Sequence, residues 1–237
     1  MLPFIDKLRA SMRTRRSRLC LSLDLQIPDT PLPLLEFDEP MLPFARATIA
    51  ATHDIVAAYQ IRPLYFLAEG GSGAIALERL VRLIPKDLPI IVDLRLDGDA
   101  PVNLAGRAAF YQCHGDAVTA QPHLRAADLA GLAGFDGGGR GLFAHLDAPT
   151  HALEAPWDGY SVSARRPELA TAARQRNPHA MALIQETDAV SATALGALSD
   201  ANALLVVGRS VLYASKYLSF AEDMRAALVR LNTRFPA

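Results

Sequence analysis

The stretch Ile90-Ile91-Val92-Asp93-Leu94-Arg95-Leu96-Asp97-Gly98-Asp99 decides the fold. A short β-branched apolar run that stops abruptly in alternating charges reads as a fully buried strand ending in a turn. In a closed parallel barrel the C-terminal ends of such strands carry the active site. Asp93, Arg95, Asp97 and Asp99 would then crowd one strand mouth, more charge than a structural loop needs.

Outward from this strand the chain alternates strand and helix. Pro3–Arg16 carries Phe4, Ile5, Leu8 and Met12 at helical spacing, with Pro3 near the first turn. Arg18–Asp24 (RLCLSLD) alternates and ends in an acid, a first strand. Gln26–Pro43 holds Pro28, Pro31, Pro33, Pro40 and Pro43 and is expected to be mostly irregular. Phe44–Tyr59 is Ala-rich and reads as a helix, and Ile61–Leu67 as the second strand. Gly70, Gly71 and Gly73 read as the turn into a helix ending near Ile84, and Pro89–Leu94 is the third strand. Strands are expected next at Asp116–Ala120, Leu142–Leu146, Gly159–Ala164, Ala180–Ile184 and Ala203–Val207. Helices are expected at Asn103–Tyr111, Leu124–Leu132, Pro167 to near Arg176, Val190–Leu198 and Phe220–Leu231.

Strands alternating with helices imply parallel pairing with right-handed crossovers. Eight such units in 237 residues, with no separable linker, predict one domain, an α/β (β/α)8 TIM barrel with an extra N-terminal helix. The fifth unit is short, because Asp147–Asp158 with Pro149, Pro156 and Trp157 barely leaves room for a helix. A doubly wound open sheet is the competing fold.

Composition excludes several function classes. The net charge is −1, from 24 basic and 25 acidic residues, which argues against a general nucleic-acid or membrane-surface role. No apolar run approaches the roughly 18 residues of a membrane span, and no secretory leader is read at the start. Cys20 and Cys113 read as buried free thiols of a reducing compartment, hence a cytoplasmic location. The basic start, with Lys7, Arg9, Arg13, Arg15, Arg16 and Arg18, reads as a solvated helix face; contact with RNA or an acidic partner is the other reading.

In a barrel most of the chemistry-bearing residues would face one mouth. Asp24 ends strand one, and Gln60 or Arg62 lies at strand two. Thr119, Gln121 and His123 end strand four, His145 and Asp147 strand five, and Gly208, Arg209 and Ser210 strand eight. A glycine followed by arginine lets the backbone approach an anion while the guanidinium grips two oxygens. Phosphate sites in such barrels commonly follow strands seven and eight; the bland alternative is a helix-entry turn with a surface arginine. Carboxylates alternating with a cation at strand three hold each other ionised and can stress or protonate a substrate; the bland alternative is a solvent-facing ion-pair loop. His53, His114, His151 and His179 are scattered and form no ligand motif, so neither metal nor cofactor is expected.

Six segments, in register over nearly the whole length, resemble the orotidine 5′-phosphate decarboxylase family in its longer bacterial branch. They are CLSLDL, HDIVAAYQIRPLYFLAEGGSG, IVDLRLDGDA, DAVTAQPHL, SVSARRPELATAARQRNP and LLVVGRSVLYAS. The resemblance implies a ribose-contacting carboxylate at Asp24, substrate-side residues at Thr119 and Gln121, and phosphate binding at Gly208 and Arg209. It also implies a phosphorylated small-molecule ligand and a homodimer paired through the barrel mouths. The departures fall on the chemistry. The family's strand-two lysine matches Gln60. Of its D-x-K-x-x-D signature, Asp93 is kept, the lysine is Arg95, and the last position is Gly98, flanked by Asp97 and Asp99. Its glycine-rich phosphate loop falls on Gln185-Glu186-Thr187-Asp188.

Decarboxylation leaves a carbanion, which the family protonates from the signature lysine. An arginine, with a pKa above about 12, is a poor proton donor, although it can stabilise developing charge. Acids in the phosphate loop would repel a phosphate. The expectation is a diverged member with lost or greatly reduced decarboxylation and a retained phosphate-ligand site. The alternatives are an active carboxy-lyase of pyrimidine biosynthesis, with Asp97 or Asp99 shifted into the last signature role, a lyase on another phosphorylated substrate, and a non-catalytic partner subunit.

Overall fold

The computed structural model describes residues 3–98, 101–148 and 157–237. Eight parallel strands close on themselves in chain order: β1 (Leu19–Ser22), β2 (Ala58–Ile61), β3 (Ile90–Leu96), β4 (Ala117–Ala120), β5 (Gly141–Leu146), β6 (Gly159–Ser163), β7 (Met181–Gln185) and β8 (Ala203–Val207). The helices are α1 (Phe4–Arg15), α2 (Met41–Thr52), α3 (Pro63–Leu67), α4 (Gly70–Val81), α5 (Val102–Gly106), α6 (Ala126–Ala133), α7 (Pro167–Arg176), α8 (Ala192–Leu198), α9 (Arg209–Leu212) and α10 (Phe220–Arg234). The TIM barrel and its leading helix therefore stand as the sequence predicts. The expectation of a shortened fifth unit rests largely on residues 149–156, which lie outside the described residues.

Side chains alternate between two cores. Outward residues such as Leu21, Tyr59, Val92, Val118 and Leu205 pack beneath the helices. Inward residues Cys20, Ala58, Ile91, Ala117, Phe143, Leu183 and Val206 fill the barrel, and Phe4, Leu8 and Met12 of α1 join them. α1 thus seals the N-terminal end of the barrel. Phe4 meets Phe143 edge to face, with ring centroids 5.7 Å apart. Gly141 is required there, because a Cβ on it would lie 2.2 Å from Phe4 Cδ1. Lys7 Nζ donates to both carboxylate oxygens of Asp116 at 2.8 Å and ties the helix to the foot of β4.

Three expectations need correction. The helix expected over Phe44–Tyr59 ends at Thr52, and Ala58–Ile61 is β2, with Tyr59 in register with Leu21 and Ile90. Burial between two strands overrides the helical preference of the alanines. Of the strand expected over Ile61–Leu67 only Ile61 lies in β2, and Pro63–Leu67 is α3, because Pro63 opens a helix at its first position, where its missing N–H costs nothing. Its apolar run is not a buried strand: Leu64 is 78% exposed. The proline-rich segment is more ordered than expected, with 3-10 turns at Ile27–Asp29 and Leu32–Glu36 before α2 begins at Met41.

Strand β3 is irregular where the charges begin. Its register with β4 shifts between Val92 and Leu96, and Arg95 sits at φ 47°, a left-handed conformation unusual for a residue with a Cβ. Strict alternation would put Asp93, Arg95 and Asp97 on one face. The bulge breaks that alternation: Arg95 stays within 3.5 Å of Asp93, while Asp97 turns away to His123.

Candidate active site

Above the apolar interior, the last inward positions of the strands are polar. Gln60 of β2 and Gln185 of β7 are not on neighbouring strands, so the bond between them crosses the barrel. Gln185 Nε2 donates to Gln60 Oε1 at 2.7 Å, and Gln60 Nε2 donates to Ser22 Oγ at 3.2 Å. Gln185 Nε2 also reaches Ser161 Oγ at 3.2 Å. All four are buried and partnered, as buried polar groups need to be. Gln60 is therefore the uncharged floor of the site.

The cation is supplied two residues later, on the same face. Arg62 Nε donates to Asp93 Oδ2 at 2.9 Å, Nη1 lies 3.4 Å from Asp24 Oδ2, and Nη2 reaches Gln185 Oε1 at 3.2 Å. Asp93, whose side chain is 1% exposed, also accepts from Thr119 Oγ1 at 2.6 Å. Thr119 in turn accepts from the Arg95 backbone N–H at 2.9 Å and so ties the bulge to β4. Arg95 Nε is 3.5 Å from Asp93 Oδ2, and its side chain is 45% exposed. Asp93 thus faces two guanidiniums and no lysine.

Burial pushes the Asp24 carboxyl above the ordinary range, against the pull of Arg62 and a hydrogen bond from Ser22 Oγ at 2.9 Å. Burial opposes the Arg62 cation as well, but Asp24 and Asp93 outweigh it and hold its pKa above the usual arginine value. His145 faces Arg95, Asp93, Asp147 and Arg62. Burial and then Arg95 lower its pKa, and its buried Nδ1 has no partner. Sequence inspection named His145 only in passing; its inward place at the end of β5 is the signal.

On the far side of the mouth the hydrogen-bond donors are taken up by acids. Ser210 follows β8 at the start of α9; its N–H and Oγ both bond to Asp188, at 3.1 Å and 2.5 Å. Arg209 Nη2 donates to Asp29 Oδ2 at 2.7 Å, and its guanidinium stacks 5.1 Å from the Tyr213 ring. The Tyr213 hydroxyl donates to the Asp24 carbonyl at 3.0 Å and accepts from the Gln26 N–H at 2.9 Å; burial pushes its pKa up to about 12. Glu186, in a left-handed conformation, accepts from Ser163 Oγ. Asp29, inside a proline-rich segment, escapes sequence inspection; Asp188 is visible there as an acid of the altered phosphate loop, but not as the partner of Ser210.

The remaining candidates are less central. Asp97 is exposed and lies 2.6 Å from His123 Nε2, away from Asp93. Gln121 is half-buried, and its backbone N–H bonds to the Leu96 carbonyl at 2.7 Å. Gly208 caps α9 without a left-handed backbone. Asp99 lies outside the described residues. Among the described residues no group of three or more His, Cys, Asp or Glu could hold a metal ion.

A closed (β/α)8 barrel with a buried carboxylate–guanidinium network at the strand ends and an arginine after the last strand places the chain in the class of TIM barrels with a charged mouth. The particular family follows from comparison with known proteins. The orotidine 5′-phosphate decarboxylase of Thermomicrobium roseum is 30% identical over 267 residues, spanning 98% of this chain and 94% of that protein. That of a Roseiflexus species is 29% identical over 263 residues, spanning 98% and 96%. The structure of Leishmania donovani OMP decarboxylase shares the fold, with a TM-score of 0.74 at 22% identity over 98% of this chain and 100% of that one. No family model matches the chain. The chain belongs to the orotidine 5′-phosphate decarboxylase family.

Proposed function

We propose that this chain is a diverged family member that has lost or greatly reduced orotidylate decarboxylation while keeping a weak site for a phosphorylated small molecule, a nucleotide or sugar phosphate. One observation carries the reading: Asp93 is paired with Arg62 and Arg95, and no lysine stands beside it. A guanidinium stabilises negative charge but does not give up a proton near neutral pH, so a carbanion formed at Asp93 would lack a ready donor. Asp29 and Asp188 support the same reading, since they take up the donors a phosphate would need. Steady-state turnover of orotidylate tests it. Negligible turnover, with partial recovery in Arg95→Lys, is expected; family-like turnover by the unaltered chain sinks it.

The second reading is an active carboxy-lyase of pyrimidine biosynthesis. The Asp24–Arg62–Asp93 network favours it, because charge still alternates across the mouth and can stress a substrate carboxylate. Under that reading Asp93→Ala abolishes turnover and Arg209→Ala weakens binding. Asp97 is a candidate for the last signature role only if a ligand draws it from His123.

We also infer a cytoplasmic homodimer. Leu32, Leu35, Phe37, Tyr217 and Leu218 are exposed, and the Leu32 N–H bonds to the Lys216 carbonyl, which brings the two segments together beside the β1 and β8 ends. An apolar surface of this kind suits burial against a second copy. A monomer by light scattering would overturn the dimer.

A further inference from the structure

At the end of the barrel opposite the mouth, a cavity of about 500 Å³ is lined by Arg9, Met12, Arg13, Arg16, Arg18, Ala201, Pro236 and Ala237. Arg18 directly precedes β1 and Ala201 lies just before β8, so the cavity opens below the N-terminal ends of two adjacent strands. Its volume lies within the roughly 300–1,000 Å³ typical of small-molecule sites.

Four guanidiniums line the cavity and no acidic side chain does, the one carboxylate beside them being that of Ala237, the last residue. Arg9, Arg13 and Arg16 recur at i, i+4 and i+7 on one face of α1 and its end, where like charges destabilise a helix. The other cations of this segment are paired: Lys7 with Asp116 and Arg15 with Asp87, both at 2.8 Å. Among the described residues the side chains of Arg9, Arg13 and Arg16 have no ion-pair partner. Arg18 donates to the Asp200 carbonyl, but its buried Nε has no partner. Burial lowers its pKa against the partial pull of the Asp200 carboxylate, so a further anion at this position would relieve the cation. The geometry is also held in place. Arg16 ends α1 in a left-handed conformation, Asn232 Nδ2 donates to its carbonyl at 3.2 Å, and Ser17 bridges to Pro236.

We propose that this cavity is a second ligand site, distinct from the mouth, that binds a polyphosphate chain of the kind carried by a nucleoside triphosphate. Several guanidiniums around one cavity match several linked phosphates, since each fork can grip two oxygens. Met12, Ala201 and Pro236 supply an apolar wall against which a flat base can lie. On a chain of net charge −1, this is a local concentration of positive charge, not a general polyanion surface.

Calorimetry of the full chain tests the proposal, with ATP and inorganic tripolyphosphate as probes at low salt and at about 0.15 M salt. One saturable site per chain is expected, weakened about tenfold or more in the Arg13→Ala, Arg16→Ala double variant. Binding should be largely kept in the Arg13→Lys, Arg16→Lys variant and unchanged in Arg209→Ala. ATP binding more tightly than tripolyphosphate assigns the apolar wall to a base, and equal affinities assign the site to free polyphosphate. The proposal is overturned if neither probe binds, if the double alanine variant binds as wild type, or if Arg209→Ala abolishes binding. It is equally overturned if a single-stranded oligoribonucleotide binds more tightly and displaces ATP, which would assign the arginines to RNA.

Discussion

Arg62 and Asp93 are joined at 2.9 Å, Nε to Oδ2, in a pair where the carboxylate is almost wholly buried and the guanidinium is 23% exposed. The pair restores on the second strand the cation that Gln60 lacks, two residues along and on the same face. Removing one partner of a buried pair leaves the other charge desolvated without compensation. Arg62→Ala is therefore expected to cost about 3–5 kcal/mol at neutral pH, measured by urea unfolding. The loss should shrink in acid, where Asp24, whose pKa burial raises, takes up a proton, and Arg62→Lys should recover part of it. A cost below about 1 kcal/mol would place the pair with weak surface bridges.

Asp29 and Asp188 give a second prediction. Both occupy donors that an incoming phosphate would use, Arg209 Nη2 and the Ser210 N–H. Arg209 and Asp29 are 56% and 28% exposed, so their bridge contributes little to stability. The Asp29→Ala, Asp188→Gly double variant should change stability by under about 1 kcal/mol and tighten binding of UMP about tenfold, equivalent to about 1.4 kcal/mol. Unchanged or weaker UMP binding by calorimetry would show that these acids do not compete with the ligand.

Asp24 predicts a pH dependence. Its pKa in the folded protein is raised, chiefly by burial, so the native state holds this proton more tightly than the unfolded chain does. Stability contributed by the protonated form is full below the unfolded value and is lost as pH rises through the raised folded value. Asp24→Asn should therefore melt above wild type at neutral pH, with the difference fading as pH falls below the ordinary aspartate range. It should also lose affinity for a ribose-bearing ligand, a trade of stability against function. Melting curves at several pH values check the sign.

The barrel was legible because short buried runs recur with helices between them, and Asp24, Asp93 and Arg209 were legible because each ends such a run. What stayed hidden depends on contacts far apart in the chain. Arg209 meets Asp29 across 180 positions, and no local pattern marks either as the other's partner. The bulge at Arg95 was invisible for another reason. A left-handed arginine carries no compositional signal, yet it turns Asp97 away from the site and leaves Asp93 with guanidiniums alone. The second strand is misplaced by a few residues because the reading of Ile61–Leu67 as a strand runs straight through Pro63, which opens a helix.

The seal at the N-terminal end gives a paired prediction. Phe4 is 2% exposed and stacks edge to face on Phe143, so Phe4→Ala should cost about 3–5 kcal/mol by cavity formation. Gly141→Ala should also destabilise, because its new Cβ would sit 2.2 Å from Phe4 Cδ1 and 2.8 Å from Ala117 Cβ. If the Phe4 ring is what forbids a side chain at residue 141, the two substitutions are not additive. In the Phe4→Ala background the added methyl enters the vacated space, and only the Ala117 contact remains to be relieved. A double-mutant cycle by chemical denaturation should then give a coupling of about 1 kcal/mol or more in the compensating direction. Simple additivity would mean that α1 does not sit over β5 as the Phe4–Gly141 approach requires.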